Sequence, residues 1–553
     1  MSENLKSPFE PLVEDDISNQ QSENKQSDFI ADVLNQIAIQ TKNSNKDKQP
    51  DYIAYLLEFA GKLKFLRDSF QNYYAVIPDD KNEEVVHIDS KKFKKLLNKE
   101  LRKRHGKLLG EKALIPVIWE ISLLAEKTAK ECEFIKRVAS DNDALYIDRG
   151  TVPASYIKVE HGTGKKELVS TVPFIRRNFS SHVTLEFPLQ SDGRQFERYF
   201  ELMVLPDRLD QLLILTFLVS KLFYKDTTPI LAISGPEDSG KSMLGESIKN
   251  IIDPSFELSN LPDKKSNLIQ TFDHQFLPGM DNMSSISKEY SDLLCSMYTG
   301  VSSSKRVEFS VDDEHVYVVK NSGILVFIQL KNIPSDLLSR MFFIKRVQFG
   351  ENGKGDKSLR KSLARMNPLL LDELLDLYVQ VWNAREAEND VITRDRSKDF
   401  VAIGNIISRI VFNDDGLMNK LVERNIEYRS DLKVKTNEAV SGVIKFLSNM
   451  QGCQCTMTQM KDYLLTAGIY LSVNLQNPST LAKNLNDGED LLREKGITFK
   501  KGTKGNTNSV YTFVNHNYVA AKEKPKSAFN EIFPEFAVQL SSEADSADYE
   551  SGQ

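Results

Sequence analysis

The glycine-rich segment at residues 235–242 constrains the fold of this 553-residue chain more than any other feature. It reads GPEDSGKS, follows the apolar run PILAIS, and leads into MLGESIKNII, whose apolar residues have helical spacing. A buried strand, a glycine turn and a helix in this order fit the Walker A pattern G-x-x-x-x-G-K-[ST]. The glycines let backbone N–H groups turn toward a phosphate, and the start of the helix adds a positive end. The alternative interpretation is a structural glycine turn.

The side chains of this loop predict ATP and Mg²⁺ as cofactors. Lys241 would place its ammonium group on the β- and γ-phosphates, and the hydroxyl of Ser242 would ligate Mg²⁺. The residues predicted to contact the nucleotide are Gly235, Pro236, Glu237, Asp238, Ser239, Gly240, Lys241 and Ser242. The predicted fold class is therefore α/β with a P-loop core, and the predicted activity is ATP hydrolysis.

An acidic side chain at the end of a neighbouring strand is needed to hold the Mg²⁺ shell. Asp281, in QFLPGMDNMS, is the best candidate, although Pro278 and Gly279 interrupt the run that would form its strand. Asn282 follows, where many ATPases of this architecture carry a catalytic Glu. An Asn side chain can orient a water molecule but cannot accept its proton, so slow hydrolysis or a base from elsewhere is expected. The alternative is that Asp281 and Asn282 form only a turn.

The apolar run ILVFIQL at residues 324–330 is predicted to form the third strand of the site. Gln329 is the only polar side chain in this run and is the candidate sensor of the γ-phosphate. Arg340, in the loop that follows, could stabilise charge that develops on the γ-phosphate of a neighbouring subunit. The alternative for Arg340 is a surface salt bridge to Asp336.

The order of these elements resembles the AAA+-like ATPases of phages, prophages and other mobile elements. These are named as DNA primase/helicase proteins and are related to the superfamily III helicases. The resemblance rests on LAISGPEDSGKSMLGESIKNIIDPS (231–255), MDNMSSISKEYSDLLCSMYTG (280–300), Arg306 with the hairpin after it, and DLLSR (336–340). KRVASDNDALYIDRG (136–150) is similar to the short β-region before the ATPase in that family. The resemblance covers most of residues 60–515 and implies a homo-oligomeric ring, in which Arg340 acts in trans.

The resemblance also implies a DNA-gripping hairpin. KRVEFSVDDEHVYVVK (305–320) reads as the strand RVEFSV, a DDEH turn and the strand VYVVK. In superfamily III helicases a hairpin at this place enters the ring channel, which makes Lys305, Arg306 and His315 candidates for DNA contact. A plain structural hairpin is the alternative, because the acidic turn would repel phosphates. No strand-borne carboxylate pair with a partner His stands out, so the sequence does not support primase activity.

Two further basic segments are candidates for DNA contact. Residues 456–514 read helix, helix, β-hairpin and resemble a winged helix, with Lys500, Lys501 and Lys504 on the wing. These lysines suit sequence-neutral phosphate contacts, and a protein-docking wing is the alternative. The segment KKFKKLLNKELRKRHGK at residues 91–107 has nine bases and one acid and is predicted to be a helix capped by Ser90. The alternative for this helix is an ordinary solvated face.

The net charge of −6 argues against nucleic-acid binding only until it is divided by segment. Residues 1–50 carry 9 acids and 5 bases, and residues 527–553 carry 6 acids and no bases. Of the chain's 78 acids and 72 bases, 63 acids and 67 bases therefore lie between them, a balance of +4. Both ends are rich in Ser, Asn and Gln and are predicted to be disordered.

The predicted divisions are a disordered end at 1–50, an α+β domain at 51–205, the P-loop core at 206–385, a helical connector at 386–450, a winged helix at 451–516 and a second disordered end at 517–553. Helices are predicted at 51–73, 113–139 and 209–223, and mainly strands from 144 to 203. No apolar run approaches the roughly 20 residues of a membrane span. The absence of a secretory signal and the four scattered cysteines favour a cytoplasmic protein without membrane contact.

Two functions fit these features. The first is an ATP-hydrolysing DNA helicase or translocase that acts in the replication of a phage or other mobile element. The second is a slow nucleotide-dependent DNA-binding initiator or regulatory switch that does not unwind DNA.

Overall fold

The structure is a computed structural model, and it describes residues 52–518 apart from gaps at 69–70, 80–81, 152–153, 171, 173, 177–183, 307–313, 329–332, 348–355, 386–392, 394 and 505–507. The fold is mixed α/β and contains a parallel sheet. The residues form two compact units: a larger one up to residue 422, and a smaller one that contains residues 330–335 and everything from 423 onward. Within the described ranges, no helix is long and apolar enough to cross a membrane.

The larger unit begins with three helices packed on a four-stranded sheet. The helices are α1 (Tyr52–Gly61), α2 (Lys91–His105) and α3 (Glu111–Thr128), and the strands are β1 (Lys64–Arg67), β2 (Tyr73–Asp79), β3 (Asn82–His87) and β4 (Lys130–Glu131). The sheet order is β3-β2-β1-β4. The predicted cap of α2 is confirmed, because the side chain of Ser90 accepts a hydrogen bond of 3.1 Å from the amide of Phe93.

Two of the helix predictions in this region were too long. The helix predicted at 51–73 ends at Gly61, and β1 occupies its second half because Phe65 points into the core while β1 pairs with β2. The helix predicted at 113–139 ends at Thr128. Short strands follow it. Two of them, β4 and the strand Phe134–Ile135, pair with strands at least 40 positions away, and the next strand pairs with its neighbour in a hairpin.

A second sheet follows, with the antiparallel order β6-β7-β8-β9. Its strands are β6 (Val138–Ser140), β7 (Ala144–Asp148), β8 (Tyr156–Glu160) and β9 (Lys166–Val169), and β5 (Phe134–Ile135) pairs separately with β10 (Ile175–Arg176). The prediction of strands up to residue 203 was wrong at its end. Residues 184–194 form no regular element, and α4 (Gln195–Leu202) follows because Phe196, Tyr199 and Phe200 bury one helical face.

The centre of the larger unit is a parallel sheet in the order β12-β15-β11-β16. Its strands are β11 (Ile230–Ser234), β12 (Gly279–Met283), β15 (Ile324–Phe327) and β16 (Met341–Lys345). The helices of this part are α5 (Arg208–Leu222), α6 (Lys241–Ile252), α7 (Lys265–His274), α8 (Lys288–Thr299), α9 (Ser335–Leu338), α10 (Asp356–Ala384) and α11 (Lys398–Phe412). Every residue of β11 and β15 is buried, as expected for parallel strands covered on both faces.

The hairpin near residue 310 has a different register from the predicted one. It consists of β13 (Val301–Arg306) and β14 (Glu314–Val319), which pair Lys305 with His315 and Arg306 with Glu314. The first strand therefore begins five residues before the predicted strand RVEFSV, and His315 lies in a strand rather than in the turn. The predicted strand residues 307–311 lie outside the described residues.

The smaller unit has the element order predicted for a winged helix. After α12 (Leu417–Thr436), which spans the boundary at residue 423, its elements are α13 (Glu438–Leu447), β17 (Gly452–Cys455), α14 (Met457–Thr466), α15 (Pro478–Asp487), α16 (Glu489–Glu494), β18 (Ile497–Lys504) and β19 (Asn508–Asn515). The sheet order is β17-β19-β18, and β18 and β19 form the predicted hairpin. The long helix predicted at 479–495 is divided at Gly488 into α15 and α16.

Candidate nucleotide-binding site

The phosphate loop follows the carboxyl end of β11 and leads directly into α6, as the sequence predicts. Gly240 has a φ of 67°, and Asp238 has a φ of 57°, so the loop turns through left-handed backbone conformations. Gly240 is well suited to this conformation because it has no Cβ. Pro236, Glu237 and Asp238 are exposed, whereas the hydroxyl of Ser239 is buried and donates 2.7 Å to the carbonyl oxygen of Pro236. The strand, turn and helix thus form a loop that can present its backbone amides to a phosphate.

Lys241 is the first residue of α6, and its ammonium group lies inside the loop. The Nζ atom donates to the carbonyl oxygen of Pro236 and lies 3.4 Å from the Oγ atom of Ser239. Partial burial lowers the pKa of Lys241 below its usual value, while the carboxylates of Asp281, Glu237 and Asp238 act in the opposite direction. Asp281 is therefore within electrostatic reach of Lys241, which brings together two residues 40 positions apart in the sequence. Ser242 follows as the second residue of α6.

Arg346 fixes the loop through hydrogen bonds to its backbone, and it was not among the residues predicted from the sequence. Its amide donates 2.7 Å to the carbonyl oxygen of Ser234, its Nε atom donates 3.1 Å to that of Ser239, and its Nη1 atom donates 2.9 Å to that of Val204. The side chain is buried, and burial lowers the pKa of Arg346. The available signal was a charged KR pair after the apolar run MFFI, but only the pairing of β16 with β11 places it at the loop.

We expect Gly235→Ala to displace the loop. A Cβ atom at this position would lie 2.6 Å from the carbonyl oxygen of Arg346 and 2.9 Å from the Oγ atom of Ser239. Overpacking of this kind destabilises by about 1–3 kcal/mol, and we expect ATP turnover to fall at least roughly tenfold because the loop backbone must move. The matched control is Gly162→Ala, whose Cβ would meet nothing within 4 Å. Equal melting temperatures and equal turnover in the two variants would contradict the close approach.

Asp281 lies near the carboxyl end of β12, which is next but one to β11 in the sheet. The strand forms despite Pro278 and Gly279. Its register with β15 shifts between Met280 and Met283, so the two residues between them are not paired with β15. The amide of Asp281 donates 2.8 Å to the carbonyl oxygen of Ser259. Asn282 is exposed, has a φ of 59°, and donates its amide to the Oδ1 atom of Asp281 over 2.7 Å. The expectation of a strand at Asp281 is therefore confirmed, while its role with Mg²⁺ stays a prediction.

Arg340 and the phosphate loop lie at opposite ends of two adjacent parallel strands. Arg340 precedes β16, which is parallel to β11 and pairs Met341 with Ile230, so a five-residue strand of about 16 Å separates it from the loop of its own chain. Arg340 is buried, donates 2.7 Å to the carbonyl oxygen of Asp336 and forms the ion pair with its carboxylate that was the alternative interpretation. Any action of Arg340 on a γ-phosphate would have to be in trans, and it stays a prediction.

The remaining predicted site residues lie on other elements or outside the described residues. Gln329 is outside them, although β15 next to β11 forms as predicted. Lys305, Arg306 and His315 lie on the hairpin strands β13 and β14. Lys500 and Lys501 are exposed on β18, and Lys504 ends that strand. Their contacts with DNA stay predictions.

A buried charge cluster anchors the far end of α6, and the sequence analysis did not find it. The guanidinium of Arg137, just before β6, lies 3.2 Å from the Oδ1 atom of Asp253, the residue after α6. The Nζ atom of Lys249 lies 3.5 Å from the Oδ2 atom of Asp253, and all three side chains are at most 2% exposed. The amide of Leu277, before β12, donates 3.0 Å to Asp253 as well. The helix that begins with Lys241 is thus held at both ends.

Residues 199–409 match a family described as the actinomycete integrative conjugative element replication protein. No curated protein matches the chain. Among solved structures, the A form apo structure of the NrS-1 C-terminal region is 12% identical, with 84% of this chain and 99% of that chain covered and a TM-score of 0.36. The X-ray structure of JCV helicase is 12% identical, with 42% and 65% covered and a TM-score of 0.21. TM-scores of this size describe a partial likeness only.

The family match agrees with the predicted class of mobile-element replication protein. It covers 211 of the 553 residues, and this part contains the phosphate loop, Asp281 and Arg340. The segment that builds the candidate nucleotide site therefore resembles the replication proteins of actinomycete integrative conjugative elements.

Proposed function

We propose that this protein binds and hydrolyses ATP and uses it to move on or unwind DNA during replication of a mobile element. The observation that carries the proposal is the phosphate loop between β11 and α6, with Asp281 two strands away on the same sheet. Lys241 would contact the β- and γ-phosphates. Ser242 and Asp281 would hold Mg²⁺, which would neutralise charge on the transferred phosphate.

The link to DNA rests on the family match and on exposed basic elements outside the loop. Replication proteins act on DNA, and the segment matched to such a family contains the hairpin of β13 and β14. Lys500 and Lys501 on the wing are exposed and can reach a phosphate backbone without reading its sequence. Arg340 and the phosphate loop lie at opposite ends of two adjacent parallel strands. A ring would bring Arg340 of one subunit to the phosphate loop of the next.

A second function, the slow nucleotide-dependent switch, is favoured by Asn282. Its backbone N–H donates to one oxygen of Asp281. In the sequence, Asn282 occupies the position where many ATPases of this architecture carry a catalytic Glu. An amide side chain cannot take a proton from the attacking water, so each ATP would be held for a long time. The bound nucleotide would then gate DNA binding rather than drive movement.

ATP turnover measured with and without single-stranded DNA separates the two functions. A motor is expected to hydrolyse ATP several-fold faster when DNA is added, because movement couples the two events. A switch is expected to show slow turnover that DNA does not change. Light scattering on the same sample reports whether a ring forms, and failure of the full chain to bind ATP at all would exclude both functions.

A further inference from the structure

The exposed face of α2 is strongly basic, and the positions of its lysines lower the stability of the helix. Lys91, Lys92, Lys95, Lys99, Arg102 and Lys103 are exposed and lie within about 120° of the helix circumference, at 100° per residue. The opposite face consists of Phe93, Leu97 and Leu101, each 0% exposed. The helix is therefore fixed to its domain by one face and presents an unbroken basic face on the other.

The first half of this helix carries charge where it opposes folding. A helix begins with a positive dipole end, yet the first turn of α2 contains no acidic residue and begins with Lys91 and Lys92. Lys91, Lys95 and Lys99 are also spaced by four residues, so each repels the next. Bases in the last turn, such as Arg102 and Lys103, suit the helix end, but the dipole cannot explain those in the first half.

Most of the charge on this face has no acidic partner within the described residues. Within the ranges that the structure describes, none of Lys91, Lys95, Lys99, Arg102 and Lys103 forms an ion pair. The one acid within residues 91–107, Glu100, forms none there either. A surface that retains repulsion at the expense of stability is expected where the charge serves binding.

We infer that the basic face of α2 is a docking surface for the phosphate backbone of a nucleic acid, separate from the hairpin and the wing. This inference rests on the proposed function, which supplies DNA as the partner. The lysines recur every four residues, about 6 Å along the axis, over roughly 18 Å, which suits a polymer with regularly repeated charge. A membrane surface is not favoured, because three apolar residues of α2 are buried in the domain core and the fourth, Leu96, packs against it.

The test uses the full chain and compares two matched pairs of exposed lysines. The pair Lys95→Gln and Lys99→Gln removes two charges from the basic face of α2. The pair Lys357→Gln and Lys361→Gln removes two charges at the same spacing from α10, where both lysines are also exposed. Binding to a labelled single-stranded oligonucleotide is measured by anisotropy over a range of salt concentrations. Melting temperature and ATP turnover without DNA are measured on the same proteins.

The α2 pair is expected to weaken binding about tenfold or more near 0.1 M salt and to reduce the slope of log K against log salt by about 1.4, the value for two phosphate contacts on a single strand. Its melting temperature should be unchanged or higher, since repulsion is relieved, and its DNA-free ATP turnover should equal that of the parent. The α10 pair should bind like the parent. An unchanged slope in the α2 pair, or polyglutamate competing as well as the oligonucleotide at equal charge, would overturn the inference. Failure of the unaltered chain to bind DNA would instead remove the proposed function on which it rests.

Discussion

Lys241→Ala is expected to reduce ATP turnover by about 10²-fold or more. The ammonium group lies inside the loop, held by the carbonyl oxygen of Pro236, where it would face the phosphates. Removing one positioned donor of this kind typically lowers turnover by about 10²–10³-fold, because the charge that develops in the transition state is no longer stabilised. The measurement is steady-state phosphate release at saturating ATP and Mg²⁺, with melting temperature as a check on folding.

Lys264→Ala is the matched control for this experiment. Lys264 is exposed just before α7, so its loss removes the same charge without touching the phosphate loop. We expect its turnover and melting temperature to equal those of the parent. Turnover that survives unchanged in Lys241→Ala would show that residues 235–242 are only a structural turn.

Asp253→Asn is expected to lower the free energy of unfolding by about 3–5 kcal/mol. The carboxylate is the common partner of Arg137 and Lys249, and its loss would remove the negative charge that faces both buried cations. Removing one partner of a buried ion pair has an effect of this size because the remaining charge stays desolvated. Denaturant unfolding at pH 7 measures it, and Asp263→Asn, at an exposed site, should change stability by less than about 0.5 kcal/mol.

The same variant has an expected pH dependence. Burial alone would raise the pKa of Asp253, but the positive charges of Lys249 and Arg137 outweigh it and hold the pKa at about 2. This is below the unfolded value of about 3.9, so the carboxylate stabilises the fold above pH 4, and that contribution is lost as the pH falls from about 4 towards 2. The difference in stability between the parent and Asp253→Asn should therefore shrink over this interval. A difference that stays constant down to pH 2 would show that Asp253 is not ionised in the fold.

Local features of the chain were predictable because neighbouring residues encode them. Strand β11, the glycine turn and α6 are contiguous, and the cap at Ser90 needs only a side chain three residues from the amide that it binds. The order of elements in the smaller unit could be read in the same way. The secondary-structure predictions were wrong where short elements follow one another, at β1 after α1 and at α4 after an alternating segment. So few residues do not show whether the apolar positions repeat with the period of a helix or of a strand.

The candidate site required the tertiary structure wherever its parts come from separate elements. The strand order β12-β15-β11-β16 places Asp281 within electrostatic reach of Lys241 and lets Arg346 donate to the loop carbonyl of Ser239. It leaves Arg340 at the end of β16 that is remote from the loop. The sequence offered Asp281 only as a candidate, and no spacing or period in it indicates the position of Arg346. Parallel strands pair through long connections, so the partner of each strand depends on how the whole layer packs.

By itself, the sequence determined a glycine turn between a buried strand and a helix, a basic helix capped by Ser90, and the order of elements in the C-terminal unit. Turn chemistry and the periodic burial of apolar residues are properties of contiguous segments. Only the tertiary structure decided that Arg346 braces the loop and that Arg137, Lys249 and Asp253 form one buried cluster. The contacts of Arg346 with Ser239 and of Arg137 with Asp253 join residues more than 100 positions apart, and they form only when the sheet and its neighbouring helices have packed.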